Sequence, residues 1–339
     1  MRAAILYGKH DLRVEDRPVP VVGNGEVLIQ VSHCGICGSD VHSFNGMQTN
    51  IHNRPPGPRV LGHEFSGVVV DIGVAVTTCR SGDRVTCIPW VTCGSCAYCR
   101  RGIVNHCVNK TMVGGGMAEY ALAPQGAVYR LPDGVSMERA ALAEPLSCCI
   151  WAMDLAQVAS GSTAVIVGAG TMGLLLLVLT RHGGAVQTVV SEPNALRRDL
   201  AARLGATMAL DPRSQDVASV VAGLTDGVGA DVAFEAVGHQ ATVADALRSV
   251  RNGGTVIIVG VADPADLVPL SPFDVYKREL TIRGCFTRRH SFDRAVRSLA
   301  HLDLDPIISE VLPLEAAGTA MEKARLGQGA KLMVTPGRQ

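Results

Sequence analysis

The spacing of apolar and polar positions divides the chain into two textures. In the second half, residues 164–167 (AVIV) form a short β-branched run, as expected of a strand buried on both faces. The segment GAGTMG at 168–173 follows, and apolar residues 174–180 continue as a helix that stops at Gly183-Gly184. Residues 186–190 predict a second strand, leading to Glu192. The alternation then repeats, with an amphipathic helix at 194–204 and a short strand at Met208–Leu210. A helix at 216–224, a strand at Ala230–Glu235 and a helix at 240–250 come next. Gly253-Gly254 leads into a strand at 255–259, and 280–283 is the last one. A linking helix is expected at 146–159. Repeated βα units of this kind predict a doubly wound parallel sheet that binds ligands at the carboxyl ends of its strands.

The first 145 residues or so lack such helices. Residues 3–7 (AAILY) read as a strand, and 26–31 alternates after the turn Gly23-Asn24-Gly25. A β-branched strand covers 65–72, and Gly82-Asp83-Arg84-Val85 enters another. Residues 53–58 (NRPPGP) read as a proline-rich loop. This pattern predicts a barrel-like all-β unit. From Gly284 the chain is expected to return to that unit, with a helix at 292–302.

The glycines at 168, 170 and 173 form G-x-G-x-x-G between a strand and a helix. In such a loop the first glycine permits the tight turn and the second lets the backbone approach a pyrophosphate. The third lets helix and strand pack closely. The helix start at Thr171 and Met172 then presents free N–H groups to the phosphates. Glu192, about 20 residues on, suits the adenosine ribose. Arg197 lies five residues further, within reach of the adenine or of solvent. Residues 163–180 carry no charge and approach bilayer length, but three glycines and the flanking strand–acid pattern favour a nucleotide site over a membrane span.

Composition narrows the classes. The 339 residues are enough for two domains, and 47% hydrophobic with 18% charged residues indicates a compact globular chain. Lys plus Arg balances Asp plus Glu at 31 each, which argues against nucleic acid or a membrane surface as partner. The N-terminus has too short an apolar run for a signal peptide. The eleven cysteines therefore predict a reduced cytoplasmic setting and a metal site, not a disulfide framework.

Four of those cysteines, Cys93, Cys96, Cys99 and Cys107, have the short spacing that lets thiolates close a tetrahedron around zinc. A closed site of this kind has no position for substrate and is structural. Its spacing does not match the usual ferredoxin runs, and the flanks lack the basic surface of a nucleic-acid zinc ribbon. A second set is dispersed: Cys37, Ser39, Asp40 and His42 in one stretch, His63-Glu64 a loop later, and Glu144 beyond. One thiolate, one imidazole and two carboxylates can hold zinc with a position open. Asp40 suits the free ring N–H of His63. Cys34, Cys79, Cys87, Cys148, Cys149 and Cys285 have no paired spacing and read as small buried hydrophobes.

These motifs resemble the zinc-dependent medium-chain dehydrogenases, particularly their polyol (sorbitol-like) branch. The matching pieces are CGICGSDVH at 34–42, LGHEFSG at 61–67, GDRV at 82–85, CGSCAYCRRGIVNHC at 93–107, AEY at 118–120, LAEPLS at 142–147 and VGAGTMG at 167–173. The resemblance implies a GroES-like catalytic domain at 1–147 and 285–339 and a Rossmann NAD-binding domain at 148–284. It implies two zincs per chain. The catalytic one falls to Cys37, His63 and a glutamate, Glu64 first and Glu144 directly or through water. The structural one falls to Cys93, Cys96, Cys99 and Cys107. It implies a small-molecule alcohol or ketone as substrate and a homo-oligomer, tetramer or dimer, while Glu192 at the ribose predicts NAD over NADP, because a 2′-phosphate would meet its like charge. It also implies a proton path from the alcohol through Ser39 and the cofactor ribose to His42. Ser43 stands where sorbitol-type enzymes carry an aromatic, and Thr287-Arg288 where they carry Arg-Tyr, so cyclitol, sugar and amino-alcohol substrates are equally open. A threonine-type dehydrogenase and a non-catalytic nucleotide-binding relative are the alternatives, and the full ligand set argues against the second.

Overall fold

The structure is a computed structural model that describes residues 1–47 and 57–336. Most of the proline-rich loop expected at 53–58 thus lies outside the described residues. The chain forms two compact units, Met1–Ser147 with Phe292–Gln339, and Cys148–Ser291.

The first unit is built on a seven-stranded sheet. Its centre is Glu26–Gly35, which pairs antiparallel with Glu64–Ile72 in a register that sets Cys34 opposite Phe65 and Gly35 opposite Glu64. Tyr120–Pro124 pairs along the first part of Glu26–Gly35. The C-terminal strand Lys331–Thr335 pairs antiparallel with its end, Val334 opposite Cys34 and Met333 opposite Gly35. Ile308–Pro313 runs parallel beyond it. Alternation places Val27, Ile29, Val31, Phe65, Val69, Leu332 and Val334 in one apolar core. The strand Glu26–Gly35 ends at the helix Gly38–Phe44, whose first turn is closed by Asp40 accepting from the Cys37 N–H at 3.1 Å.

The second unit is a six-stranded sheet in which every pairing is parallel. Its spatial order is Met208–Leu210, Gln187–Ser191, Thr163–Val167, Ala230–Glu235, Val250–Ile258, Thr281–Gly284. This is the doubly wound order, with its switch point between Thr163–Val167 and Ala230–Glu235. All five residues of Thr163–Val167 are buried, as the β-branched run demands of a central parallel strand.

Some boundaries differ from the sequence reading. The linking helix spans Ala143–Ala156 and so starts early enough to carry Glu144 in its first turn. Pro145 is tolerated there because first-turn N–H groups have no intrahelical partner. The strand expected at 255–259 begins at Val250, because Gly253-Gly254 falls within an irregular register, Val250 opposite Ala230 and Thr255 opposite Val232, and breaks nothing. The helix expected at 292–302 covers Phe292–Ser298. Among the described residues, no helix is long and apolar enough to cross a membrane.

Candidate active site

Strand register assembles the dispersed ligands. Cys37 lies just past the end of Glu26–Gly35, and His63-Glu64 sits where the paired strand begins. One ligand atom from each of Cys37, His63 and Glu64 falls within 4.8 Å of the others. His63 and Glu64 are buried, at 3% and 1% exposure. Glu144, 6% exposed, is outside this trio, but its charge acts on both His63 and Lys331. Of the two glutamates, Glu64 is therefore the one placed with Cys37 and His63.

Two features depart from the expected arrangement. Asp40 faces the His63 ring with Oδ1 at 3.8 Å from Nδ1, an ion-pair separation longer than a hydrogen bond. And a fully buried lysine enters the site. Lys331 is 1% exposed, and its Nζ donates to Glu64 Oε2 at 2.5 Å and to the Ile36 carbonyl at 3.1 Å. Burial alone would lower the Lys331 pKa, but Glu64, Cys37 and Glu144 outweigh it, so the ammonium stays charged. Its place follows from the antiparallel seating of Lys331–Thr335 beside the end of Glu26–Gly35.

The donor set fits a divalent cation. Cys37, Asp40, Glu64 and Glu144 bring anionic character against a single ammonium. Burial would lower the His63 pKa, yet Asp40, Cys37 and Glu144 overcome it and raise it to about 10. A field that holds a proton on a buried imidazole favours a metal cation in its place. Thiolate, imidazole and carboxylate make a three-ligand zinc set with a fourth position for substrate.

The second set is made of thiols alone. The sulfurs of Cys93, Cys96, Cys99 and Cys107 all lie within 4.8 Å of one another, with Cys107 Sγ 3.6 Å from Cys93 Sγ. Four sulfurs at the zinc–thiolate distance of about 2.3 Å stand about 3.8 Å apart, so the loop already has the size of a zinc tetrahedron. The Cys96 N–H points at Cys93 Sγ, and the Cys93 N–H at Cys107 Sγ, both at 3.4 Å. Hydrogen bonds from Ser95, then Cys96, hold the Cys93 thiol down to about 6, towards the thiolate that a metal needs.

In the second unit the three glycines do different work. Gly168 turns with φ of +98°, and a Cβ there would meet Val237 at 2.5 Å. A Cβ on Gly173 would fall 1.8 Å from the Gly168 carbonyl oxygen. A Cβ on Gly170, by contrast, would meet nothing within 4 Å, so the loop faces open space where the helix Thr171–His182 begins. That is a cradle suited to phosphate. Glu192 is 5% exposed, and its carboxylate accepts from Ala169 N–H in the glycine loop at 2.8 Å and from Asn194 N–H at 2.9 Å. Each oxygen keeps a lone pair for a ribose hydroxyl. The backbone N–H of Arg197 donates to Asn194 Oδ1, capping the next helix. Ser39 and His42 share the helix Gly38–Phe44 three residues apart, hence on one face, and both are half-buried.

Sequence reasoning missed Lys331 and Glu235. Glu235 is wholly buried and accepts from the N–H groups of Val237 and Gly238 and from the Thr242 hydroxyl, shaping the turn beyond Ala230–Glu235. Each is a charged residue at one end of a mostly apolar strand, a pattern that does not by itself name a partner.

A doubly wound unit with a dinucleotide loop, carried with a thiolate–imidazole–carboxylate site, defines a metal-dependent dehydrogenase. Comparison with known proteins agrees. The alcohol dehydrogenase GroES-like domain matches residues 23–133, and the zinc-binding dehydrogenase family matches residues 171–301. Sorbitol dehydrogenase of Bacillus subtilis (strain 168) is 34% identical over 348 residues, covering 100% of this chain and 98% of that protein. L-threonine 3-dehydrogenase of the same strain is 34% identical over 328 residues, covering 94% and 93%. A zinc-binding dehydrogenase candidate from Sinorhizobium meliloti 1021, solved bound to NADP, superposes with a TM-score of 0.93 at 35% identity over 99% of both chains. The chain belongs to the zinc-dependent alcohol dehydrogenase superfamily, in its polyol dehydrogenase branch.

Proposed function

We propose that this protein reversibly oxidises a secondary alcohol, of polyol, cyclitol or sugar-like type, to its ketone with NAD. The observation that carries the reading is the convergence of Cys37, His63 and Glu64 on one buried point. Zinc bound there supplies Lewis acidity, which makes an alcohol oxygen acidic near neutral pH. The chain's own residues do the rest. Cys37, His63 and Glu64 fix the ion and leave one position for substrate. Ser39 takes the alcohol proton and His42 passes it towards solvent. Gly168, Gly170, Thr171, Met172 and Gly173 hold the pyrophosphate, and Glu192 the ribose. Arg197 remains a candidate for the adenine side. Cys93, Cys96, Cys99 and Cys107 hold a second, structural zinc.

The Ser43 hydroxyl donates to the Ser39 carbonyl at 3.0 Å and so turns back into its own helix. The equal identities to a sorbitol and a threonine dehydrogenase keep an amino alcohol as the second reading. A panel of polyols, cyclitols and amino alcohols with NAD, followed by reduced-nicotinamide absorbance, tests both. Failure of the zinc-loaded protein to turn over any alcohol would sink the reading.

Cys93→Ser is expected to lower the melting temperature by about 10 °C or more, with loss of one zinc, because metal binding in such a loop is folding free energy. Unchanged melting and zinc content would remove the structural assignment. For Lys331→Met, the metal-free protein is expected to melt about 10 °C lower, since breaking a buried ion pair costs about 3–5 kcal/mol. Zinc should restore much of that loss by compensating the Glu64 carboxylate. Equal losses with and without zinc would show that Glu64 does not face the metal.

A further inference from the structure

We infer that Asp211 helps set the cofactor preference of this chain by engaging the guanidinium groups of Arg198 and Arg213 beside the ribose end of the dinucleotide, so that they are not offered to a phosphate. The inference rests on the reading of Glu192 as the ribose-facing acid. Asp211 directly follows the strand Met208–Leu210, and the Glu192 N–H donates to the Leu210 carbonyl at 3.0 Å, so the two strand ends lie side by side. Arg213 forks onto Asp211, Nε at 2.9 Å from Oδ1 and Nη2 at 2.5 Å from Oδ2. The same Nη2 donates to the Pro193 carbonyl at 2.7 Å. Arg198 Nη1 donates to the Glu192 carbonyl at 2.9 Å and stands 3.3 Å from Asp211 Oδ2. Two cations therefore touch the backbone of Glu192-Pro193, the segment that carries the discriminating acid.

An arginine at this place is what accommodates the 2′-phosphate of NADP in dinucleotide folds. Here both arginines are engaged by one carboxylate. The hydrogen bonds from Arg213 hold the Asp211 carboxyl well below the usual carboxylate range, so the clamp stays anionic at assay pH. Within this group of four, the Arg198 and Arg213 cations are matched by Asp211 and Glu192, so the cluster itself offers a phosphate dianion no net attraction. Without the Asp211 charge the balance becomes positive, and the Arg213 fork, on a side chain 68% exposed, is free to turn to a phosphate. The alternative is that these are surface ion pairs of little consequence. That reading predicts small changes in melting and none in cofactor choice.

The test measures kcat/KM for NAD and NADP in the zinc-loaded full chain. Binding of ADP and of adenosine 2′,5′-bisphosphate is measured by calorimetry beside it. Asp211→Asn is expected to raise the NADP:NAD ratio about tenfold and to tighten the bisphosphate without tightening ADP. The double variant Asp211→Asn, Arg213→Ala should lose that gain. Arg213→Ala alone exposes the Asp211 charge and should move the ratio several-fold the other way, a readout that stands even if Asp211→Asn fails to fold. A ratio unmoved by these single variants, or a gain that survives in the double variant, overturns the inference. A parent that binds neither nucleotide fails earlier, at the dinucleotide reading itself, and ADP binding tells the two failures apart.

Discussion

Cys37→Ser and His63→Ala are each expected to lower kcat/KM by about a thousandfold or more while dinucleotide binding persists. The size follows from what the ion supplies. Charge stabilisation by a catalytic metal is worth several kcal/mol, and each 1.36 kcal/mol off the barrier is about tenfold in rate. Among the described residues, the ligand atoms of three side chains share the point. Losing one leaves two ligands in a buried site where the Lys331 ammonium already bonds Glu64, too few to hold the ion in place. The glycine loop and Glu192 belong to the other compact unit, with its own core of Val165, Val167, Val189 and Ala233, so the nucleotide cradle does not depend on Cys37 or His63. Turnover, zinc per chain and NADH fluorescence on the same preparation make the measurement. Substantial residual turnover with one zinc lost would mean that the catalytic ion is held elsewhere.

The parts of this site that were legible in the sequence are those built locally. The glycine loop is one strand, one turn and one helix start, and each glycine announces its steric duty within six residues. The four thiols of the second metal set lie within fifteen residues, so spacing alone defines a tetrahedron. The Cys37, His63 and Glu64 set was a weak signal residue by residue, and the resemblance to a family sharpened it, because the contact depends on the antiparallel register that puts Gly35 opposite Glu64. Lys331 was not legible by either route. It contacts the Ile36 carbonyl across 295 residues of sequence, and its strand, KLMVT, carries no turn or repeat that assigns it a neighbour. The choice between Glu64 and Glu144 was likewise a matter of packing, since both are buried and near the same charges. The helix Pro272–Arg278 escaped because it has no buried residue and hence no apolar stripe for periodicity to find.

Removing the Glu192 carboxylate is expected to collapse a preference for NAD over NADP that we place at about a hundredfold or more in the parent. The carboxylate is oriented before any ligand arrives: Ala169 N–H and Asn194 N–H fix one oxygen each, and the glycine loop is one of the two anchors. Ribose hydroxyls can donate to the lone pairs that remain. A 2′-phosphate offers no such donors and brings like charge to a carboxylate only 5% exposed. The cost is about 3 kcal/mol, which corresponds to the hundredfold. A relative of this chain was solved bound to NADP, so NADP is the competitor that the measurement must include. Glu192→Ala deprives the Ala169 and Asn194 N–H groups of their acceptor, so KM for NAD should rise as well as the ratio fall. Glu192→Gln keeps the volume and part of the hydrogen bonding while removing the charge, and should shift the ratio with less damage to NAD binding. The measurement is kcat/KM for both cofactors in the parent and the two variants. Equal efficiencies in the parent, or a ratio that neither substitution moves, would take the discrimination away from Glu192.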